Sequence, residues 1–177
     1  MESLKTIITK DEIKRKVREL GARISADYRG KELVLVCNLK GAFIFLADLC
    51  RSIDIPVSVD FVAMTSYKGI QSTGNIRIVK DLKMNIGEKH VLLVEDIVDT
   101  GYTLRYIMQY LELHRPGSVK VCTLLDKKCM RKVDVPVDYV GFEIGDRFVV
   151  GYGLDYNEKY REIEFVAELQ LEGELSE

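Results

Sequence analysis

The chain of 177 residues lacks an excess of charge of either sign. Its 26 lysines and arginines stand against 28 aspartates and glutamates, a net charge of -2. A dedicated nucleic-acid or membrane-surface binder carries a basic excess, so neither partner is expected. Long apolar runs are missing too, which argues against a bilayer-spanning helix. The opening MESLKTIITKDEIKRK is charged and has no apolar core of a signal peptide, and a cytoplasmic protein is expected. Cysteine and histidine are scarce and wrongly spaced for zinc: Cys37, Cys50, Cys122 and Cys129 form no C-x-x-C pair, and His90 and His114 are scattered. Cys37 and Cys122 fall in apolar strand-like runs, so reduced, mostly buried thiols are the expectation. With no internal repeat and no low-complexity linker, residues 1–177 read as a single domain with a substantial core.

What the chain does have is the run from His90 to Leu104, HVLLVEDIVDTGYTL. Val91 to Val94 is a continuous apolar stretch of the kind that forms a strand buried on both faces. After Tyr102 the period changes: Leu104, Ile107, Met108 and Leu111 recur at helical spacing. Glu95, Asp96 and Asp99 therefore stand at the carboxyl end of a central strand, where open α/β sheets bind ligands. Thr100 to Thr103 then offer hydroxyls and free backbone N–H groups at a helix N-terminus, which suits an anion. Carboxylates beside an anion cradle match a sugar phosphate. Asp99 by itself also reads as an ordinary helix cap. Asp-Thr-Gly is in addition the signature of aspartic proteases, but those need two such aspartates. This chain has one, and a helix follows it.

The remaining pattern is α/β. Asp11 to Tyr28 reads as a helix with Ile13, Val17, Leu20 and Ile24 on one face and Gly30 as its stop. Glu32–Asn38, Val57–Thr65, Ser118–Leu125, Val137–Ile144 and Phe148–Val150 read as strands, and Gly41–Ile53 as an apolar helix on the sheet. Ile76–Val79 pairs back as a hairpin arm. Ser66 to Asn75, rich in Gly, Ser and Thr, reads as an ordinary hairpin tip or, beside an active site, as a lid. Glu172 to Glu177 is an acidic tail expected to fray.

VLLVEDIVDTGYTL resembles the phosphoribosyl-pyrophosphate motif of the type I phosphoribosyltransferases. Three further motifs stand in family order: Leu39-Lys40-Gly41, Ser66-Tyr67, and Phe148-Val-Val-Gly-Tyr-Gly-Leu-Asp155 continuing to Arg161. Together they cover about Leu33 to Phe165 and resemble the hypoxanthine-guanine branch. The resemblance implies an open, mostly parallel central sheet flanked by helices, with a small β-rich hood and a flexible lid loop. It implies transfer of the phosphoribosyl group of phosphoribosyl pyrophosphate to a 6-oxopurine base, with magnesium as cofactor, in a homodimer or homotetramer. A related enzyme for xanthine, adenine or orotate, or an RNA-binding regulator on the same fold, would share much of this pattern.

The implied roles divide by charge. Thr100, Gly101, Tyr102 and Thr103 cradle the monophosphate, with Gly101 letting the backbone approach closely. Glu95 and Asp96 accept from the ribose hydroxyls, or one of them holds a magnesium-bound water or pairs with a basic residue. Adjacent strand residues point to opposite faces, so both reach the sugar only where the strand end curls. Lys40, Gly41, Ser66, Tyr67 and Arg161 serve the pyrophosphate, and the resemblance implies a cis Leu39–Lys40 peptide. On residue type alone, Lys40 also reads as a solvated lysine and Arg161 as half of a surface salt bridge. Asp99 exchanges a proton with the purine. Phe148 is a platform for the base, although by itself it reads as a core residue, and Val149 offers a carbonyl. Lys127, chosen over Lys128 by motif alignment, donates to the exocyclic oxygen. A lysine has only donors, which disfavours adenine. Asp155 holds a second magnesium through water. The role of Arg147 stays open.

Overall fold

The computed structural model describes residues 2–66 and 76–171. Six of its nine strands form one main sheet, and the three α-helices pack on the two faces of that sheet. In chain order the elements are β1 (Glu2–Ile8), α1 (Lys10–Asp27), β2 (Leu33–Leu39), α2 (Phe43–Ser52), β3 (Val57–Ser66), β4 (Ile76–Lys80) and β5 (His90–Val98). They continue with α3 (Tyr102–Glu112), β6 (Ser118–Asp126), a 3₁₀ turn (Lys128–Met130), β7 (Tyr139–Glu143), β8 (Val149–Val150) and β9 (Val166–Leu171).

The main sheet has the order β4-β3-β2-β5-β6-β7. All its pairings are parallel except β3 with β4, the expected hairpin arm. Alternation along β5 explains its central place. Leu92 and Val94 enter one core layer with Ile13, Val17, Phe45 and Leu49 of α1 and α2. Val91 and Leu93 enter the other with Leu104, Ile107 and Leu111 of α3. The chain leaves β2 outward to β3 and β4, then returns to β5 on the other side of β2. The order thus reverses between β2 and β5, which is where such sheets open a crevice at their carboxyl ends.

Helix α1 starts at a capping box: Thr9 accepts from the Glu12 amide, and Glu12 reaches back to the Thr9 backbone. Its buried stripe includes Ile13, Val17, Leu20 and Ile24, as the periodicity predicts. Of the cysteines, Cys37 and Cys122 are buried, and all four are free thiols. Among the described residues no helix is long and apolar enough to cross a membrane.

Three differences from the sequence reading have physical causes. Strand β5 continues four residues past Val94 to Val98, carrying Glu95 and Asp96 inside the sheet, because ladder pairing tolerates polar side chains facing an open hollow. Phe148 lies outside the two-residue β8. Strands β1 and β9 went unread. They pair antiparallel from Glu2↔Leu171 to Ile8↔Val166, and with β8 they form a second, three-stranded sheet. β1 is exposed along most of its length, so it shows no alternation, and its partner is far away in sequence. Tyr67 to Asn75, the lid reading, and the Glu172–Glu177 tail lie outside the described residues.

Candidate active site

The strand end does curl at the two carboxylates. The β5–β6 ladder pairs Glu95 with Thr123 and Ile97 with Leu125, while Asp96 between them has no ladder partner. The Asp96 carboxylate instead accepts from the Ile97 amide at 2.8 Å. Val94 and Ile97, an odd number apart, pack into the same core layer, where strict alternation puts them on opposite faces. Glu95 and Asp96 consequently line one hollow of about 200 Å³, together with Asn38, Asp99, Thr100, Gly101 and Thr103.

The cradle follows directly. Gly101 has φ +89, and a Cβ there would press on Val133 and Val135 at 3.0–3.1 Å. Left-handed geometry and close packing both require glycine at this point. The Lys132 and Val133 amides hold the Thr100 carbonyl at 3.0 and 3.2 Å from the far side. Helix α3 then begins with no side-chain cap, leaving its first amides for an anion. Thr103 lines the hollow, but the Tyr102 side chain does not. It is half exposed and lies against Arg105, so Tyr102 contributes backbone only.

Electrostatically the hollow is unfinished. Glu95 is buried; its Oε2 accepts from the Asn38 amide at 3.3 Å, and its Oε1 has no partner among the described residues. Burial, reinforced by the neighbouring Asp96 charge, holds its carboxyl well above the ordinary range. Burial also pushes Asp96 up to about 6, against the pull of the Ile97 amide. The Oδ1 of Asp99 is buried without a partner among the described residues. Among the described residues no group of three or more His, Cys, Asp or Glu gathers as a metal cage.

A second hollow, about 210 Å³, shares Asp96, Ile97 and Asp99 with the first and adds Lys127, Phe148, Val149, Leu154 and Asp155. Lys127 is 7% exposed, with its ammonium 4.0 Å from Asp146. Lys128 turns outward to Glu143. Phe148 is no core residue: it is 54% exposed and stands edge-on to Tyr156, 5.7 Å between ring centres. Its carbonyl accepts from Leu169 of β9. Backbone alternation therefore turns the Val149 carbonyl to the free side of this edge strand. Arg147 pairs with Glu168 at 3.5 Å and lines a different hollow beside Ile7 and Ile8, so it faces away from the site.

The third group surrounds the turn after β2. The Leu39–Lys40 peptide is cis. A Cβ on Gly41 would overlap the Asp96 carboxylate, so this glycine lets the turn close over β5. Arg161 pairs with Asp155 at 2.8 Å and donates to the Gly153 carbonyl at 2.7 Å. Lys40 and Arg161 both reach Glu158, at 3.0 and 3.3 Å. Asp155 accepts from the Glu158 amide as well, so both its oxygens are engaged. Glu158 and Asn38 went unnoticed in the sequence. Asn38 is a single polar residue ending an apolar strand, a signal that was available; Glu158 carries none. Of the expected residues, Ser66 ends β3 and Tyr67 lies outside the described residues. The others converge on these three neighbouring pieces.

Comparison with known proteins gives one answer. Residues 3–157 match the phosphoribosyl transferase domain. The chain is 51% identical over 164 residues to a hypoxanthine-guanine phosphoribosyltransferase of Aquifex aeolicus, covering 92% of each chain. It is 46% identical over 172 residues to a hypoxanthine phosphoribosyltransferase of Salmonella typhimurium, covering 96% of this chain and 97% of that one. A crystal structure of a hypoxanthine phosphoribosyltransferase from Staphylococcus aureus superposes with a TM-score of 0.90 at 44% identity, covering 94% of this chain and 91% of the other.

Proposed function

The chain belongs to the phosphoribosyl transferase domain family, and from that premise we propose a purine salvage enzyme. It transfers the 5-phosphoribosyl group of phosphoribosyl pyrophosphate to hypoxanthine or guanine, giving IMP or GMP and pyrophosphate. One observation carries the reading: Asp99, with a buried, unpartnered oxygen, stands where the cradle-side and Phe148-side hollows meet. A proton acceptor belongs at that junction, between the sugar carbon and the attacking ring nitrogen.

The monophosphate takes the amides and hydroxyls of Thr100, Gly101, Tyr102 and Thr103. Glu95 and Asp96 accept from the ribose hydroxyls. Lys40, the amide of Gly41 and Arg161 grip the pyrophosphate, with Ser66 and Tyr67 on the same side. The base stacks on Phe148, meets the Val149 carbonyl at its edge and receives a proton-bearing donor from Lys127 at its 6-oxygen. Asp99 takes the proton from the purine imidazole as the new bond forms, contributing about 10²–10⁴ in rate.

Magnesium fits this donor set, because Glu95 keeps a free buried oxygen and Asp96 faces the Gly41 turn. Glu95 and Asp96 would hold one ion and Asp155, through water, a second, with the remaining oxygens supplied by the ligand. Bound there, the metal neutralises charge on the departing pyrophosphate. In this reading Asp155 becomes available when pyrophosphate takes over Arg161. A single domain in a homodimer or homotetramer of the cytoplasm completes the proposal.

Initial rates with hypoxanthine, guanine, xanthine and adenine test it, at saturating phosphoribosyl pyrophosphate and magnesium. Turnover of hypoxanthine or guanine at least a hundredfold above adenine is expected. A preference for adenine would remove the role given to Lys127, and no turnover with any base would remove the whole reading.

A further inference from the structure

The turn that carries Glu158 is built against local preference. Tyr156 and Lys159 exchange backbone hydrogen bonds at 3.1 and 3.0 Å, closing a two-residue hairpin. Its central residues, Asn157 and Glu158, both have positive φ, 51 and 63. This is a type I′ turn, whose second central place usually takes glycine. A glutamate there sits in the left-handed region at a cost that needs a reason elsewhere.

Its surroundings supply one. The Glu158 carboxylate lies 3.0 Å from the Lys40 ammonium and 3.3 Å from the Arg161 guanidinium. These cations come from two separate segments, one on the turn after β2 and one beyond the Gly151–Gly153 loop. Nothing but this carboxylate joins them among the described residues. The second guanidinium contact, to Asp155, anchors Arg161 to the base-side hollow. The Glu158 amide donates to the same Asp155 at 2.9 Å, which fixes the turn in register with it. The two cations draw the Glu158 carboxyl below its ordinary range.

Resting on the functional reading above, we propose that Glu158 is a built-in stand-in for the leaving group. Its carboxylate pairs Lys40 with Arg161 in the empty enzyme, yields them to pyrophosphate oxygens when substrate binds, and recaptures them as pyrophosphate departs. Such an internal competitor weakens pyrophosphate more than the rest of the substrate, which has its own cradle on α3. It keeps two like charges from repelling across an empty site, and it shortens the stay of a product that would otherwise hold both cations. Glu158 is a positioning residue here, since it acts through Lys40 and Arg161.

Glu158→Gln keeps the size and removes the charge. Two readouts are needed: direct calorimetric titration of the full-length protein with inorganic pyrophosphate and magnesium, and the pyrophosphate inhibition constant in the forward reaction. Both constants should tighten by roughly fivefold, since exposed ion pairs are individually weak. The KM for the purine should stay within twofold, and the melting temperature should hardly move for a side chain 64% exposed. Glu158→Asp, too short to reach both cations, should fall between. Unchanged pyrophosphate binding in an active Glu158→Gln enzyme overturns this proposal and leaves the functional reading standing. Tighter pyrophosphate binding in a protein that turns over no purine base supports the stand-in and removes the functional reading instead.

Discussion

Asp60 on β3 and Glu95 on β5 are two carboxylates of equal burial, 5% exposed each, in neighbouring parts of one sheet. They are treated oppositely. Asp60 accepts from the amides of Phe61, Lys83 and Met84 at 2.7–2.8 Å, with the Lys80 ammonium 3.7 Å away. Burial alone would raise its carboxyl, but those amides and that charge together bring it below the ordinary range. Glu95 has one long bond to Asn38 and an orphaned oxygen, and its carboxyl is raised. A buried charge whose oxygens are all satisfied is a rivet, here tying β3 to the segment before β5. One left unsatisfied is stable only in company that the chain itself does not provide. Between these two carboxylates, incomplete satisfaction, more than burial, distinguishes the one that lines the hollow from the one that ties the sheet together.

Asp99 gives that distinction its strongest test, since it shares the orphaned oxygen and adds chemistry. Asp99→Asn preserves shape and removes the proposed proton acceptor. Single-turnover rates should fall by about 10²-fold or more, with the affinity for phosphoribosyl pyrophosphate within a few fold and thermal stability equal or higher. A large loss of stability with little loss of rate would class Asp99 with Asp60 and dissolve the comparison.

The same contrast explains what could be read in advance. The cradle-side hollow comes almost wholly from Glu95 to Leu104, so its apolar run, carboxylates, Gly101 turn and helical stripe lie in one legible stretch. The Phe148-side hollow gathers Asp96–Asp99, Lys127, Phe148–Val149 and Leu154–Asp155 from four segments. Residue type misleads there, for Phe148 reads as core until β8 is seen at a sheet edge. Only family likeness brought those positions together beforehand. The curl at Asp96 is not legible in the sequence, because alternation predicts the opposite. Strands β1 and β9 are hard to read for a related reason: they pair across the length of the chain, β1 is exposed along most of its length, and the alternation from Ala167 to Leu171 in β9 is short.

Paired substitutions sharpen the difference between rivet and open site. Asp60→Asn turns an amide toward backbone donors and should cost about 1.5–3 kcal/mol, the range for hydrogen bonds to a charged group. That lowers the midpoint of chemical unfolding, while the KM for each substrate stays within twofold. Glu95→Gln should leave the ligand-free protein as stable as before or more so, yet raise the KM for phosphoribosyl pyrophosphate by roughly tenfold through a lost hydroxyl or metal contact. Equal destabilisation by both changes would mean that Glu95 is structural.

The smallest effect has opposite signs at the two places, which makes it informative. Asp60 is lowered on folding, so its stabilisation is complete above the unfolded value of roughly 3.9 and is lost as pH falls below that. Asp96 is raised to about 6. Between roughly 3.9 and that value the folded protein holds a proton the unfolded chain has released, so stability declines as pH rises. Glu95 works in the same direction from roughly 4.3 upward. Urea unfolding of the ligand-free protein from pH 3 to pH 8 should therefore show an acid limb that Asp60→Asn flattens. A separate decline towards pH 6 should be flattened by Asp96→Asn. Saturating phosphoribosyl pyrophosphate and magnesium should reverse the second slope, because binding favours the ionised carboxylates, and should leave the first untouched. If the ligand left the second slope unchanged, Asp96 and Glu95 would not be ionised by substrate, and the difference between scaffold and site would have to be sought elsewhere.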